Sequence, residues 1–327
     1  MFVDLSTDIK LKEYNMKTTK PLVSVLIPVY NGTPYLEETV ESIFASTKLP
    51  IEVILVDDGS TDGSKEKCRK LELKYTTRLK FINFTKNHGM TRCLNAGIRS
   101  AKGKYIARIN QDDLMVKGRL EKQVKFLQTH PKYVAVGSYV QLFTKDNPQY
   151  DTITFPTTDE QIKRMWMTLS PFADPTVMYR RSMVLQTDGY QQTMWPADDV
   201  HMWYQLGIIG KLANIPEFLT KVRWHENAGS IKSHKLQMQK TWELRMWAAK
   251  NIRQPSVGEY AFWSIQYLAG KIFLPQFNWY VYRILRKLWK HRALSQNLWE
   301  VWEKTTQVFG RVSSRLRARF SLISTNV

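Results

Sequence analysis

Two pairs of adjacent aspartates are the residues most suited to chemistry in this chain. Asp57 and Asp58 follow one short apolar segment, and Asp112 and Asp113 follow another. In a parallel α/β sheet the strands end at one edge, so side chains that follow two such strands meet there. Carboxylates at that edge can hold a divalent cation against a phosphorylated ligand. The two pairs therefore predict an enzyme site for a divalent cation and a phosphorylated ligand.

Alternating apolar segments predict the elements that position these pairs. Short apolar runs bounded by Gly, Asn and Asp predict strands, and apolar residues three and four apart predict helices. The strands are predicted at 23–30, 51–57, 79–84 and 104–110, with helices at 34–47, 64–75 and 90–101. Regular alternation favours a mostly parallel α/β sheet with helices on both faces. Right-handed crossovers place the four strand ends along one edge.

The second part of the chain is less regular. Four further elements are predicted, a helix at 114–130, a strand at 133–143, a helix at 197–209 and a strand at 211–222. Residues 151–196 contain four prolines and no sustained period. We expect loops and short helices there that frame a pocket.

Length and composition favour one large domain, or one domain with an appendage. The chain has 327 residues, of which 43% are hydrophobic, enough for a substantial core. Its two cysteines, Cys68 and Cys93, lie in segments expected to face the core, so no disulfide framework is expected. Residues 1–20 lack the apolar core of a signal peptide. We therefore expect a reducing, cytoplasmic setting.

Positive charge is concentrated in the C-terminal part of the chain. Residues 232–327 carry 17 Lys and Arg against 4 Glu, and the whole chain has a net charge of +19. Seven of the 11 tryptophans lie there too: Trp242, Trp247, Trp263, Trp279, Trp289, Trp299 and Trp302. Tryptophan among cations suits the headgroup layer of an anionic membrane, and no window offers the roughly 18 apolar residues of a spanning helix. We expect peripheral contact with the inner face of the cell membrane; the alternative is a helical appendage with core tryptophans and a solvated basic face.

A series of motifs in a fixed order resembles the GT-A-fold family 2 glycosyltransferases, the large inverting group that takes sugars from nucleotide diphosphates. The resemblance covers residues 22–232. Besides Asp112-Asp113, its motifs are Val-Ser-Val-Leu-Ile-Pro-Val-Tyr-Asn at 23–31, Val-Asp-Asp-Gly-Ser-Thr-Asp-Gly-Ser at 56–64, Asn-His-Gly-Met at 87–90, Gly-Lys-Tyr-Ile-Ala-Arg at 103–108, Asp-Pro-Thr-Val-Met-Tyr-Arg-Arg at 174–181, Ala-Asp-Asp-Val-His-Met-Trp at 197–203 and Arg-Trp-His at 223–225. It implies a leader at 1–21, a GT-A domain at 22–231 and a helical basic region at 232–327.

The resemblance also implies donor-binding residues at the strand ends. Pro28, Val29 and Tyr30 match the wall along the nucleotide base. Asp58 matches the carboxylate that accepts a hydrogen bond from a uracil-type imino group. The residues implied near the donor phosphates, sugar and ribose are Asn87, Gly89, Arg92 and Asp112.

Three catalytic positions are implied as well. Asp113 matches the ligand of Mg²⁺ or Mn²⁺, Asp199 the general base, and His225 a residue close to the diphosphate and the metal. A bound cation stabilises charge on the leaving diphosphate, so only the acceptor hydroxyl then needs a base. By analogy with inverting glycosidases, one base opposite the leaving group gives inversion in a single step.

Two positions depart from the family pattern. Asn110 stands where the family often has Asp, which argues against a role for it in metal binding, and Asp198 stands where Glu is usual. Structural alternatives stay open for several others. Asp57 or Asp58 can cap a helix, as can Asp199; Asp112 and Asp113 can form a solvated turn, and His225 can be a hydrogen-bonded structural residue. We favour binding for Asp58 and a structural or capping role for Asp57.

The predicted function is metal-dependent inverting glycosyl transfer of the hexosyltransferase type. The donor is a nucleotide-diphosphate sugar, the acceptor a saccharide or lipid-linked hydroxyl, and the product a surface polysaccharide or glycolipid. A haloacid dehalogenase-type phosphatase competes, but it requires a nucleophilic Asp two residues before its partner, and here the acids are adjacent. A third hypothesis is a nucleic-acid-binding protein. It rests only on the net positive charge, and that charge lies outside the α/β unit. No Gly-x-Gly-x-x-Gly follows the first strand, which argues against a dinucleotide-binding dehydrogenase.

Overall fold

The computed structural model describes residues 20–225 and 234–272. Four parallel strands form one side of its sheet, with β3 at the edge: β1 (Val23–Val29), β2 (Ile51–Asp57), β3 (Leu79–Asn83) and β4 (Tyr105–Arg108), in the order β3-β2-β1-β4. The helices between them are α1 (Leu36–Ser46), α2 (Ser64–Tyr75) and α3 (Met90–Ser100). The predicted alternation is confirmed over this half of the chain.

The remaining strands extend the sheet with mixed directions. They are β5 (Leu114–Met115), β6 (Tyr133–Phe143), β7 (Asp151–Ile153), β8 (Met178–Arg180) and β9 (Lys211–Arg223). β8 joins β4 and β6 by antiparallel pairing, β9 runs parallel to β6, and β5 is antiparallel to β9 at the edge. The helices of this half are α4 (Arg119–Thr129), α5 (Asp159–Met165), α6 (Arg181–Val184) and α7 (Asp198–Ile209).

Alternating side chains of the parallel strands form two hydrophobic cores, one on each face of the sheet. Val25 and Ile27 of β1 face α1, α2 and α4, whereas Leu26 and Ile54 face α3 and α7. All four are fully buried, as expected for parallel strands covered on both faces. α3 lies very close to β1, because a Cβ on Gly97 would lie 2.0 Å from Cδ1 of Leu26. A glycine is therefore required where this helix crosses the strand.

The structure differs from the sequence prediction in two places. The first residues of the predicted helix 114–130 form β5, and α4 begins only at Arg119, after Gly118 with a φ of +80°. Pairing with β9 outweighs the helical spacing at this point. In the region predicted as loops and short helices, β7 and β8 form strands of three residues each on β6. Strands this short carry no periodic signal.

Two C-terminal helices pack against the sheet domain. They are α8 (His234–Asn251) and α9 (Val257–Ile272). Leu244, Ala248 and Trp263 belong to the same buried cluster as α3 and α7. The indole N–H of Trp263 donates to the carbonyl of Met167 at 2.6 Å. Residues 234–272 thus share a core with the sheet, although the predicted domain boundaries themselves remain predictions.

Three of the seven C-terminal tryptophans lie in the described residues. Trp263 is fully buried, the Trp247 ring lies 4.6 Å from that of His201, and the Trp242 ring lies 5.7 Å from that of Tyr260. These three make core and aromatic contacts. The other four, and the leader up to residue 19, lie outside the described residues. None of the described helices combines the length and the apolar composition needed to cross a lipid bilayer.

Trp263→Ala tests whether α9 belongs to the same folded unit as the sheet. Removing this buried ring should lower the free energy of unfolding by about 3–5 kcal/mol. Ile265→Ala is the matched control, because Ile265 is 67% exposed on the same helix and its truncation should change stability by about 0.5 kcal/mol or less. Chemical denaturation of the full chain measures both. A Trp263 variant as stable as the control would mean that α9 is not part of this core.

Candidate active site

The aspartate pair after β2 is held by uncharged partners. Asp57 accepts hydrogen bonds from the hydroxyl and the backbone N–H of Ser60, so it closes the turn that follows the strand. Asp58 accepts from the backbone N–H of His88 at 2.7 Å and from that of Gly89 at 2.8 Å. The Asp58 carboxylate therefore ties the end of β2 to the loop before α3. In this structure Asp57 has the structural contacts and Asp58 faces the segment implied to line the donor.

The ends of β1 and β4 are joined through Gln111. Its Oε1 accepts from the Tyr30 N–H at 2.8 Å, and its Nε2 donates to the Tyr30 carbonyl at 3.0 Å. The Tyr30 side chain is left 47% exposed, next to the nearly buried Val29. A Cβ on Gly32 would lie 2.3 Å from Oε1 of Gln111, so a larger residue at this position would displace the Gln111 amide. The role of Gln111 depends on a contact with a residue 81 positions away in the chain, which periodicity in the sequence does not reveal.

Asp113 is the most enclosed acid of the second cluster, with 1% of the residue exposed. Its Oδ1 accepts from the backbone N–H of Arg223 at 3.0 Å, and its Oδ2 accepts from Nδ2 of Asn110 at 2.8 Å. Burial, followed by the charge of Asp112, raises the pKa of Asp113 to about 8. This carboxyl group therefore holds a proton near neutral pH unless a cation lies beside it.

Asp112 faces the C-terminal end of β9. Its Oδ2 lies 2.9 Å from Nε2 of His225, and its carbonyl accepts from Nε of Arg223 at 3.0 Å. The Arg223 guanidinium also lies 4.4 Å from the ring centroid of Tyr35 and pairs with Glu38. The resemblance placed Asp112 near the ribose and His225 near the metal; the structure brings the two side chains into direct contact.

A third pair of acids begins α7. Asp198 accepts from the hydroxyl of Thr91 at 2.8 Å, which links α7 to the first turn of α3. Asp199 accepts from the N–H of Val200 at 2.7 Å. Burial raises the pKa of Asp198 to about 6. Burial, then the charges of Asp174 and Asp198, raises the pKa of Asp199 well above its usual range.

Arg108 joins the second cluster to a further buried acid, Asp174. Its Nε lies 3.0 Å from Oδ2 of Asp174, and its Nη2 donates to Oδ1 of Asn110 at 2.8 Å. Arg108 is fully buried as the last residue of β4. Neither Arg108 nor Asp174 was assigned a role from the sequence. An arginine that ends an otherwise apolar strand was the available signal, since a buried cation needs an acidic partner.

The donor set fits a hard divalent cation that keeps open positions. Within residues 20–225 and 234–272, no three His, Cys, Asp or Glu side chains form a ready cage for an ion. Asp112 and His225 do present an oxygen and an imidazole nitrogen 2.9 Å apart, with Asp113 next in the chain. Mg²⁺ and Mn²⁺ bind through one or two carboxylates and complete their shells with phosphate and water. The residues present therefore suit an ion that is shared with a bound diphosphate.

Comparison with known proteins identifies the family. The family model described as glycosyl transferase family 2 matches residues 24–188, half of the chain. A putative glycosyltransferase EpsE of Bacillus subtilis is 33% identical over 218 residues, which cover 65% of this chain and 77% of the relative.

The chain belongs to glycosyl transferase family 2.

Two other similar proteins extend this result. The amylovoran biosynthesis glycosyltransferase AmsE of Erwinia amylovora is 28% identical over 62% of this chain and 76% of its own length. The structure of a mannosyltransferase from Pyrobaculum calidifontis, in complex with GDP-Man and Mn²⁺, covers 89% of this chain and 85% of that chain, with a TM-score of 0.57 and 17% identity. The predicted GT-A fold is confirmed. The phosphatase and nucleic-acid hypotheses are set aside by the family membership.

The assigned donor residues of this family 2 glycosyltransferase lie around the two strand ends. Gly89, with a φ of +93°, begins α3 beside Asp58. Asn87 and Arg92 are exposed, and Nη1 of Arg92 lies 3.4 Å from Nδ1 of His88. Pro28 is half-buried at the end of β1. The roles of these residues in binding or catalysis remain predictions.

Asp113→Asn should change the pH dependence of stability. The pKa of Asp113 is raised in the folded state relative to about 3.9 in the unfolded chain. Between these values the folded state binds more protons, so the free energy of unfolding of the metal-free protein falls as pH rises from about 4 to 8. Asparagine cannot ionise, so the variant should lose less stability over this range. Unfolding midpoints measured in EDTA from pH 5 to 8 give the comparison.

The control for this experiment is Asp146→Asn, at an exposed position in the turn after β6. It should follow the wild-type profile. An Asp113→Asn profile parallel to that of the wild type would mean that Asp113 is already ionised near neutral pH in the metal-free protein.

Proposed function

We propose that the chain is a metal-dependent inverting glycosyltransferase of the hexosyltransferase type. It transfers a sugar from a nucleotide-diphosphate sugar to a saccharide or lipid-linked hydroxyl. One observation carries the proposal: the loop before α3 and its first turn bond to both Asp58 and Asp198. Sδ of Met90 in that turn accepts from Nη2 of Arg108, which reaches Asp113 through Asn110. Family membership supplies the reaction class, and a relative named for amylovoran biosynthesis supports a polysaccharide or glycolipid product.

The donor nucleotide is proposed to lie across the ends of β1 and β2. The exposed Tyr30 offers an aromatic surface for the base; Val29 lies in the core beneath it with 1% exposed, and Pro28 is half-buried. Asp58 is held by two backbone N–H groups, yet each carboxylate oxygen can accept a second hydrogen bond, so it can still bind an imino group. Exposed Asn87 and Arg92 can approach the phosphates.

The cation is proposed to lie at Asp112, Asp113 and His225. When bound, Mg²⁺ or Mn²⁺ supplies Lewis-acid stabilisation of the charge on the leaving diphosphate. Asp112 and His225 are the half-buried members of this set, with side chains 20% and 24% exposed. Asp113 must exchange its proton for the cation. The structure of a mannosyltransferase with Mn²⁺ and GDP-Man supports this arrangement by its shared fold.

Asp199 is proposed as the general base. It is half-buried in the first turn of α7, where its Oδ1 accepts from the N–H of Val200, and its Oδ2 is the oxygen proposed to face the acceptor. A carboxylate with a raised pKa is a stronger base than an ordinary aspartate. Asp199 would accept the proton of the acceptor hydroxyl as that oxygen attacks the anomeric carbon, opposite the leaving diphosphate.

Contact with the inner face of the cell membrane is proposed for the C-terminal region. Three apolar side chains on one side of α9, Val257, Ile265 and Leu268, are 57%, 67% and 56% exposed. The residues that follow α9, 273–327, carry ten Lys and Arg against two Glu. Exposed apolar side chains next to a strongly basic segment suit an anionic lipid surface. Such contact would bring the site to a lipid-linked acceptor.

Asp199→Asn should abolish turnover while leaving the donor site intact. Loss of a general base lowers the rate by about 100- to 10,000-fold. Release of nucleoside diphosphate measures turnover, and calorimetry measures nucleotide-sugar binding, which should stay within about twofold. Glu160→Gln is the matched control, because the same carboxylate-to-amide change falls on an exposed side chain in α5. Full turnover by the Asp199 variant would contradict the proposed base.

A panel of nucleotide sugars should reveal a donor whose binding depends on a cation. A ligand selective for the folded state raises the unfolding midpoint. The true donor should raise the unfolding midpoint when Mn²⁺ is present. This increase should be smaller in EDTA, and smaller in the Asp112→Asn variant. Thermal unfolding of the full chain provides the readout. A donor that stabilises the wild type equally with Mn²⁺ and with EDTA would contradict metal dependence.

A further inference from the structure

We propose that Arg108 is a positioning residue that sets the orientation of Asp113 through the amide of Asn110. The inference rests on the proposed function, in which Asp113 holds the cation. The contacts form a short chain: Nη2 of Arg108 donates to Oδ1 of Asn110 at 2.8 Å, and Nδ2 of Asn110 donates to Oδ2 of Asp113 at 2.8 Å. Arg108 lies outside the set of residues expected to touch donor or cation.

The chemistry of the three groups allows only one orientation of the Asn110 amide. A guanidinium has donors and no acceptor, whereas a carboxylate has acceptors. With Asp113 ionised, as the proposed cation site requires, reversing the amide would place its NH₂ against the Arg108 guanidinium and its oxygen against the carboxylate, so both contacts would become repulsive. Arg108 therefore selects the amide orientation in which Asn110 donates to Asp113.

Arg108 itself is held on three sides. Its Nε lies 3.0 Å from Oδ2 of Asp174, its Nη1 donates to the carbonyl of Ile109, and its own carbonyl accepts from Nη2 of Arg119 at 2.8 Å. Both arginines are fully buried. A buried, paired and multiply bonded guanidinium has little freedom to move, so it can serve as a fixed reference for Asn110.

This chain explains why Asn suits position 110 in this protein. An aspartate there could accept from Arg108 but would have no N–H to offer Asp113. It would instead place a second carboxylate against one that is already 1% exposed. Asn110 is thus a connector between a cation and a carboxylate, not a missing metal ligand.

Mn²⁺ binding to the full chain tests the proposal, with the electron paramagnetic resonance signal of free Mn²⁺ as the readout and MnCl₂ as the only ligand. Residues that orient a metal ligand contribute about 10- to 100-fold in metal affinity. Asn110→Ala should weaken Mn²⁺ binding by that amount. The double variant Arg108→Met with Asp174→Asn should do the same, because removing both charges of this pair leaves neither partner as an unpaired buried ion.

Arg180→Met is the matched control. Arg180 ends the neighbouring strand β8, and its guanidinium donates to the carbonyls of Tyr133, Leu127 and His130, with no contact to Asn110. It should lower the unfolding midpoint and leave Mn²⁺ affinity unchanged. Circular dichroism and thermal unfolding confirm that each variant is folded before Mn²⁺ is added.

The combination of Asn110→Ala with the double variant decides the mechanism. If Arg108 acts through Asn110, the triple variant should bind Mn²⁺ no more weakly than the Asn110 variant alone, a non-additive result. If the triple variant loses Mn²⁺ affinity by the product of the two separate losses, the proposal is overturned. An Asn110→Ala variant with the Mn²⁺ affinity of the wild type would also overturn it. A wild type that binds no Mn²⁺ would overturn the metal assignment in the proposed function, an outcome distinct from Mn²⁺ binding that is insensitive to these variants.

Discussion

The site depends on gathering acidic side chains at one sheet edge with little access to water. Asp57, Asp58, Asp113 and Asp198 are each 3% exposed or less. Ionised carboxylates cannot be buried without compensation. Most of the compensation here comes from neutral donors, namely backbone N–H groups and hydroxyl and amide side chains. Such donors stabilise an ionised carboxylate without cancelling its charge, so Asp113, which holds a proton near neutral pH, keeps its hydrogen-bond donors once it ionises.

The parallel half of the fold follows closely from the sequence. The apolar runs of β1 and β2 are bounded by Gly, Asn and Asp, and the bounds predicted for β2 and α2 agree with the structure. The placement of Asp58 and Asp113 at one edge followed from topology alone, because parallel strands end together. Local pattern and global fold agree over this half, which is why sequence reasoning succeeds there.

The contacts that organise the site were not predictable in the same way. Gln111 bonds to Tyr30, 81 residues away, and Arg108 pairs with Asp174 across the β4–β8 junction. Periodicity describes which face a residue occupies, but not which distant polar group lies opposite. The pairing of β5 with β9 escaped prediction for the same reason, since a two-residue strand depends entirely on its partner.

The C-terminal helices contact the candidate site indirectly, by packing against α7. Trp247 of α8 packs against His201, two residues after Asp199, and its ring lies 6.3 Å from that of Tyr204. Trp263 and Arg245 donate to the carbonyls of Met167 and Thr168, at the start of the segment that leads to Asp174. The orientation of the proposed base therefore depends on packing from both the sheet and α8.

The two hydrogen bonds between Gln111 and Tyr30 join an uncharged amide to uncharged backbone groups. Neither bond changes with proton concentration or weakens markedly with ionic strength. The spacing between the wall proposed for the base and the acidic cluster is consequently set by neutral contacts. Changes in pH or salt concentration would therefore alter how strongly the diphosphate is bound. They would leave the distance between the proposed base site and the acidic cluster unchanged.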